Sequence, residues 1–68
     1  MLFRSRDLSF ILTRMAELHE KQGNRSESLR FAGESLEIAE RLAALDRTNA
    51  TWRHDADVSR ALVARLRR

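Results

Sequence analysis

The sequence contains no cysteine, no proline and only two glycines. Without cysteine the chain forms neither disulfides nor thiolate metal sites. A chain of 68 residues buries only about 60% of the surface that its unfolded form exposes, so its own core supplies marginal stability. Small proteins without such cross-links depend on idealised helix packing, on self-association or on attachment to a larger partner. We expect one of the last two.

Long apolar runs and a leader-like start are also missing. No stretch approaches the ~20 consecutive apolar residues of a membrane span. The segment 1–12 carries Arg4, Arg6 and Asp7, which interrupt the apolar core that a signal peptide needs. The sequence therefore predicts a cytoplasmic protein with no membrane partner.

Leucine, alanine, arginine and glutamate supply most of the sequence, and these residues favour helices over strands. The pattern predicts an all-α module spanning 1–68, with helices at about 6–22, 25–45 and 50–66. Ser5 can cap the first helix, and Gly23 is its natural left-handed stop. For the second helix, Asn24 followed by Glu27 predicts a capping box. The third helix has two candidate caps, Thr48 and Asn49.

Apolar residues recur at helical spacing in the first two predicted helices. The first has one apolar face, made of Leu8, Ile11, Leu12, Met15, Ala16, Leu18, His19 and Gln22. The second has a wider apolar arc that divides into two stripes. The first stripe comprises Leu29, Ala32, Leu36, Ala39 and Ala43, and the second stripe comprises Phe31, Ile38, Leu42 and Leu45.

Two neighbours are therefore expected for the second helix. The two-residue turn before it makes the first two helices antiparallel. We expect the third helix to pack on the second stripe, with Trp52 as the plug that fixes it there. The surplus apolar width also predicts self-association or an adjoining repeat, with the second stripe and Trp52 at that interface.

The third helix repeats the first at an offset of 48 residues. This offset aligns Asp7 with Asp55 and Ala16 with Ala64, and it pairs Met15 with Val63. The matched positions are mostly those expected to face the core. Such repetition is typical of helical solenoids, in which each unit buries its face on the next.

Specific positions strengthen this interpretation. They are Leu12, Met15-Ala16, His19, Gly23-Asn24, Ser28-Leu29, Ala32 and Ser35-Leu36. At these positions the chain resembles the tetratricopeptide repeat, a helical hairpin that stacks into right-handed solenoids. His19 replaces the expected aromatic, and Glu40 stands where a proline would end the second helix. The segment 35–55 resembles the extended-linker type of bacterial arrays, and the resemblance covers about one and a half repeats.

The resemblance implies a protein-interaction module in which the first helices of successive hairpins line a concave groove for a protein or peptide partner. Carried over by position, the groove residues are Phe10, Thr13, Arg14, Glu17 and Lys21, joined by Val58, Leu62 and Arg65. Phe10 is either an anchor for the partner or a cover for Leu2 and Phe3. The module is expected to form a homo-oligomer or to belong to a longer array.

A basic flank supports a different class of function. It consists of Arg53, Arg60 and Arg67 on one side of the third helix, and such a stripe can contact nucleic-acid phosphates. Asp55 and Asp57 interrupt the flank, and no aromatic platform accompanies it, so we favour a protein partner. A third hypothesis is a truncated fragment without an independent role.

Residues capable of catalysis or metal binding are scattered. His19 and His54 are far apart in sequence, and neither belongs to a metal-ligand spacing. Asp55 and Asp57 lie in the first turns of a helix, where acids favour the helix dipole. No glycine-rich loop is present to hold phosphate. The sequence therefore predicts no enzyme, no metal site and no cofactor.

Overall fold

The computed structural model describes residues 5–68, which form three α-helices. Helix α1 spans Ser5–Lys21, α2 spans Arg25–Leu45 and α3 spans Ala50–Leu66. The predicted all-α class is confirmed, and each helix begins and ends within one residue of its predicted bounds. The Cα positions extend over 36 × 30 × 13 Å, so the three helices form a thin slab.

The turn between α1 and α2 is built on Gly23, whose φ is +78°. Its N–H donates to the carbonyl of Glu20 at 3.1 Å, and the N–H of Asn24 donates to the carbonyl of His19 at 2.8 Å. These two bonds form a Schellman motif, in which a left-handed glycine ends a helix. The turn therefore reverses the chain and makes α1 and α2 antiparallel, as predicted.

The start of α2 differs from the predicted capping box. The side chain of Asn24 makes no cap hydrogen bond, and its amide instead lies 3.4 Å from Nδ1 of His19. The carboxylate of Glu27 pairs with Arg30 at 2.7 Å, and this hydrogen bond is the main reason that the pKa of Glu27 is lowered. The capping box was wrong because both side chains have other partners.

The linker between α2 and α3 closes on itself. Oδ1 of Asp46 accepts hydrogen bonds from the hydroxyl of Thr48 at 2.6 Å and from its N–H at 3.0 Å. The hydroxyl contributes most to lowering the pKa of Asp46. Oδ1 of Asn49 accepts a hydrogen bond from the backbone N–H of Trp52 at 3.0 Å. Asn49 rather than Thr48 therefore caps α3.

Small residues let α1 and α2 approach closely. Ala16, Ser28 and Ala32 are fully buried, and the hydroxyl of Ser28 donates to the carbonyl of Ala16 at 2.6 Å. A direct bond from a side chain on one helix to the backbone of the other requires that no bulky residue stands between them. The spacing of the hairpin is therefore set by backbone and hydroxyl groups.

A serine junction, formed by Ser9, Thr13, Ser35 and Ser59, joins all three helices. Oγ of Ser35 lies 3.0 Å from the hydroxyl of Ser9, 2.8 Å from that of Thr13 and 3.4 Å from that of Ser59. Ser35 also lies 2.9 Å from the carbonyl oxygen of Ser9. Within residues 5–68 every buried side-chain nitrogen and oxygen has a hydrogen-bond partner, so burying these hydroxyls leaves no polar atom unpaired.

Helix α3 packs on a different side of α2 from the one predicted. Leu62, Val63 and Leu66 form the core with Ala16 and Ala32, and Leu29 and Leu36 of the first stripe pack against this cluster. Of the second stripe, Phe31 reaches the same core, whereas Leu45 is 76% exposed. Ile38, Leu42 and Leu45 line a cleft with Leu8 of α1. The expectation that α3 covers the second stripe was wrong because the smaller alanines of the first stripe admit it more closely.

Helices α1 and α3 run parallel, and ion pairs bridge them at both ends. Nε of Arg6 lies 2.7 Å from Oδ2 of Asp55, and Glu20 pairs with Arg65. Arg6 and Glu20 mark the side of α1 that faces α3, whereas Leu8, Ile11 and Leu18 project from other parts of the helix circumference. The side chains of Leu8, Ile11 and Leu18 are 41–49% exposed. Part of the predicted apolar face of α1 is therefore accessible to solvent.

Candidate functional site

A groove of about 290 Å³ lies between α1 and α3. It is lined by Arg6, Ser9, Phe10, Thr13, His54, Asp55, Val58 and Ser59. Ser9 and Ser59 are buried and belong to the serine junction. Phe10 and Val58 are 49% and 48% exposed. The groove therefore combines a floor of bonded hydroxyls with one aromatic and one aliphatic side chain that solvent reaches.

One end of the groove is organised by Arg6. Its guanidinium hydrogen-bonds Asp55 and also lies over the ring of Phe10, with its central carbon 4.6 Å from the ring centroid. The hydrogen bond to Asp55 is the main reason that the pKa of Arg6 is raised above its ordinary value. A cation is attracted to the face of an aromatic ring, so Arg6 connects Phe10 of α1 with Asp55 of α3 at this end of the groove.

The predicted groove residues divide into three groups. Phe10, Thr13 and Val58 line the groove. Arg14, Glu17 and Lys21 are exposed on α1 but do not line it, and Arg65 is held by Glu20. Leu62 is buried in the core, so its assignment to the groove was wrong. Leu2 and Phe3, which Phe10 was alternatively expected to cover, lie outside the described residues.

Of the polar residues that line the groove, only Thr13 was predicted from the sequence. Arg6 and Asp55 are 49 residues apart in sequence, and Ser9 and Ser59 carry no motif. A signal was nevertheless present, since the 48-residue offset that aligns α3 with α1 makes Asp55 the counterpart of Asp7 at the start of the helix. If α1 and α3 are equivalent helices of successive repeats, they run parallel and their first turns lie side by side. Residues in the first turn of α1 are therefore expected near Asp55 in the first turns of α3.

The hydroxyl groups of the groove are not arranged for nucleophilic catalysis. A reactive serine needs a base within hydrogen-bond reach of its hydroxyl. Ser9 and Ser59 bond instead to other hydroxyls and to a carbonyl. In the described part of the chain, no group of three or more metal-ligating side chains converges. The groove thus places hydroxyls that are bonded to one another beside the exposed Phe10 and Val58.

His19 occupies the position at which the resemblance expects an aromatic. Its ring stacks on Phe31, with centroids 5.4 Å apart and an interplanar angle of 10°. The guanidinium group of Arg30 also lies over the ring of Phe31, with its central carbon 4.6 Å from the ring centroid. His19 therefore fills a packing position between α1 and α2.

The basic flank carries less unbalanced charge than the sequence suggests. Arg60 lies 3.1 Å from Glu40 and 2.9 Å from Asp57, and the hydrogen bond to Glu40 contributes most to raising its pKa. Arg53 and Arg67 are exposed on either side of it. A phosphate would have to displace two carboxylates from the middle of the flank.

The other predicted interface residues do not form one surface. Trp52 is half-buried at the start of α3, whereas Ile38, Leu42 and Leu45 lie with Leu8 around a cleft of about 200 Å³. Phe31 is partly buried against the core. The cleft is therefore a surface of the α1–α2 hairpin and does not include α3.

Comparisons with family models, curated proteins and solved structures returned no match to this chain. No helix within residues 5–68 combines the length and apolarity needed to cross a membrane.

Proposed function

We propose that the chain is a tetratricopeptide-type interaction module that binds a protein or peptide partner in the groove between α1 and α3. The observation that supports this proposal is the position of Phe10 and Val58. Both side chains are about half exposed, they belong to parallel helices, and they line one groove. A cytoplasmic, bacterial setting belongs to the same proposal.

The shape of the groove favours a partner that inserts a few apolar side chains. Small-molecule sites typically enclose about 300–1,000 Å³, and this groove, at about 290 Å³, is only partly enclosed. Aromatic side chains in partly enclosed positions are the usual anchors of protein interfaces. Phe10 is such an anchor, and Arg6 holds its ring in place.

Electrostatics favour a protein partner over nucleic acid. Arg6, Arg60 and Arg65 are each paired with a carboxylate, so each would have to give up an ion pair before it could contact a phosphate. The basic flank also lies on the opposite side of α3 from Val58, because residues 58 and 60 are separated by 200° around the helix axis. A partner in the groove would not reach it.

Selection from a displayed peptide library tests the proposal. The purified chain is expected to enrich peptides that share an apolar residue, and the double variant Phe10→Ala/Val58→Ala is expected to bind them at least ten-fold more weakly. The matched control is Leu18→Ala, which truncates a side chain of the same exposure as Phe10 (49%) outside the groove and leaves peptide binding unchanged. Circular dichroism verifies that each variant remains helical.

The proposal is wrong if no peptide is enriched, or if the enriched peptides bind the double variant as tightly as the parent chain. A parallel titration with duplex DNA and RNA at low salt separates the alternative. Nucleic-acid binding that is lost in Arg53→Glu/Arg67→Glu, and not in the groove variant, would assign the function to the basic flank instead.

A further inference from the structure

The large hydrophobic side chains that are exposed in residues 5–68 fall on two surfaces. Phe10 and Val58 line the groove, and the others lie on the α1–α2 hairpin. These others are Leu8, Ile11, Leu18 and Leu45. We call this second set, together with the half-buried Met15, the hairpin face. It is distinct from the groove, so a partner in the groove leaves it uncovered.

Along α1 the hairpin face has the spacing of a helix that packs against another helix. Leu8, Ile11, Met15 and Leu18 follow one another at intervals of three, four and three residues. This is the a/d pattern of a heptad repeat, which forms a narrow apolar seam. A seam of this kind fits an α-helix, whereas an extended peptide makes no use of the 3-4 spacing.

The charges beside the seam identify which helix fits. In the heptad register set by Leu8 and Ile11, the outer g positions are Asp7, Arg14 and Lys21. All three side chains are exposed, and none takes part in an ion pair found among residues 5–68. This row of g positions has an acid, Asp7, at one end and a base, Lys21, at the other end. In an antiparallel pair of α1 helices, the acid of each copy therefore lies beside the base of the other.

We propose that a second copy of the chain docks on the hairpin face, with the two α1 helices antiparallel about a two-fold axis near residue 13. The seam is then self-complementary, because Leu8 of each copy lies against Leu18 of the other. Asp7 of each copy lies beside Lys21 of the other, and Arg14 faces its own counterpart near the axis. Two attractive pairs outweigh one repulsive pair.

The cleft at the end of the hairpin supplies the hole for this contact. Leu8, Ile38, Leu42 and Leu45, together with Arg41, surround about 200 Å³. In the antiparallel arrangement Leu18 of the second copy lies over the apolar part of this cleft. Leu45, at 76% the most exposed of the large hydrophobic residues that the structure describes, becomes covered. Knob-into-hole contacts of this kind are how heptad seams pack.

The expected dimer is weak. Helix α1 has 17 residues and is therefore about 25 Å long, so a contact centred on it lies at the small end of specific interfaces. We expect a dissociation constant in the micromolar range, which sedimentation equilibrium between about 10 μM and 1 mM resolves. The groove variant Phe10→Ala/Val58→Ala is expected to dimerise normally, so failure of the dimer and failure of the proposed function are separable.

Charge reversal tests the antiparallel geometry. Asp7→Lys places like charges together twice and is expected to raise the dissociation constant roughly five-fold or more, and adding Lys21→Asp is expected to restore it. Arg14→Gln is expected to strengthen the dimer. The control is Asp57→Lys, which makes the same reversal of charge at an exposed position of α3, away from the hairpin face, and leaves the dimer unchanged.

The absence of cysteine from the sequence allows a direct geometric check. With a single cysteine at position 14, introduced as Arg14→Cys, a short bis-maleimide is expected to link two chains, whereas Glu17→Cys is expected to link far fewer. A monomer at 1 mM overturns the proposal, as does a dimer in which Lys21→Asp fails to rescue Asp7→Lys. Either result would assign the hairpin face to another occupant, such as a hairpin of a different polypeptide.

Discussion

Replacement of Gly33 by alanine is expected to raise the free energy of unfolding by about 1 kcal/mol. Gly33 lies inside α2, and a Cβ built on it meets no atom within 4 Å. The new methyl group therefore causes no clash, while alanine restricts the unfolded chain and favours the helix. In a chain of this size, about 1 kcal/mol corresponds to a rise in Tm of roughly 4–8 °C.

Gly23 provides the matched comparison, because the same methyl group added there also meets no atom within 4 Å. Its φ of +78° makes the difference. A residue with a Cβ destabilises the folded state by about 1–2 kcal/mol when its backbone is left-handed. Alanine also lowers the conformational entropy of the unfolded chain, which offsets part of this destabilisation. Gly23→Ala is expected to lower the free energy of unfolding by about 1 kcal/mol, so the two variants differ by about 2 kcal/mol.

Thermal and urea unfolding, followed by far-ultraviolet circular dichroism and by the fluorescence of Trp52, measure both changes. Each variant is studied at two protein concentrations, because self-association stabilises the folded state by mass action. A lowered Tm for Gly33→Ala would mean that another chain packs against that surface. No change for Gly23→Ala would contradict the left-handed turn and the Schellman bonds built on it.

Three further changes test the caps, the core and the surface charges. Asn49→Ala removes the side-chain acceptor of the backbone N–H of Trp52. It is expected to lower the free energy of unfolding, measured by thermal unfolding, by about 1 kcal/mol. Ser35→Leu forces a large side chain into a fully buried position and is expected to cost more than about 3 kcal/mol, or to prevent folding, as judged by circular dichroism. Because the folded-state pKa of Glu27 is lowered, chiefly by its hydrogen bond to Arg30, its contribution is present above about pH 4.5 and is lost as the pH falls. The Tm of Glu27→Gln is therefore expected to depend less on pH below this value than that of the parent chain.

The helices were predictable because their boundaries depend on local signals. Gly23 ends α1 through its own backbone conformation, and Asn49 caps α3 through a residue three positions later. The capping box at Asn24 failed for an equally local reason, since Glu27 found a competing partner in Arg30. Hydrogen-bond competition between neighbouring side chains is not visible in the residue pattern alone.

The packing of α3 was not predictable from hydropathy. Both stripes of α2 are apolar, and the bulkier one, with Phe31 and Leu45, offers more surface to bury. Helix α3 instead takes the stripe containing Ala32, because small residues let helix backbones approach and the junction through Ser35 and Ser59 then forms. The choice depends on shape across two helices, and a single helix pattern does not contain that information.

The groove was predictable in part. The resemblance placed Phe10, Thr13 and Val58 in it, because these positions follow from the repeat spacing. The pair of Arg6 and Asp55 depends on how α1 and α3 lie in space, 49 residues apart. Electrostatic partners of this kind follow from the tertiary arrangement rather than from the spacing within either helix.

The residues of the serine junction that fix the positions of the helices are different from the residues exposed on the surface. Helix spacing depends on buried alanines and hydroxyls, while most of the larger apolar side chains outside the core lie where other molecules reach them. Under the proposed function, substitutions at Phe10, Leu18 or Leu45 alter what the chain binds while the three helix axes stay where they are. A module of the proposed kind can then change partners without a change in the contacts that stabilise its fold.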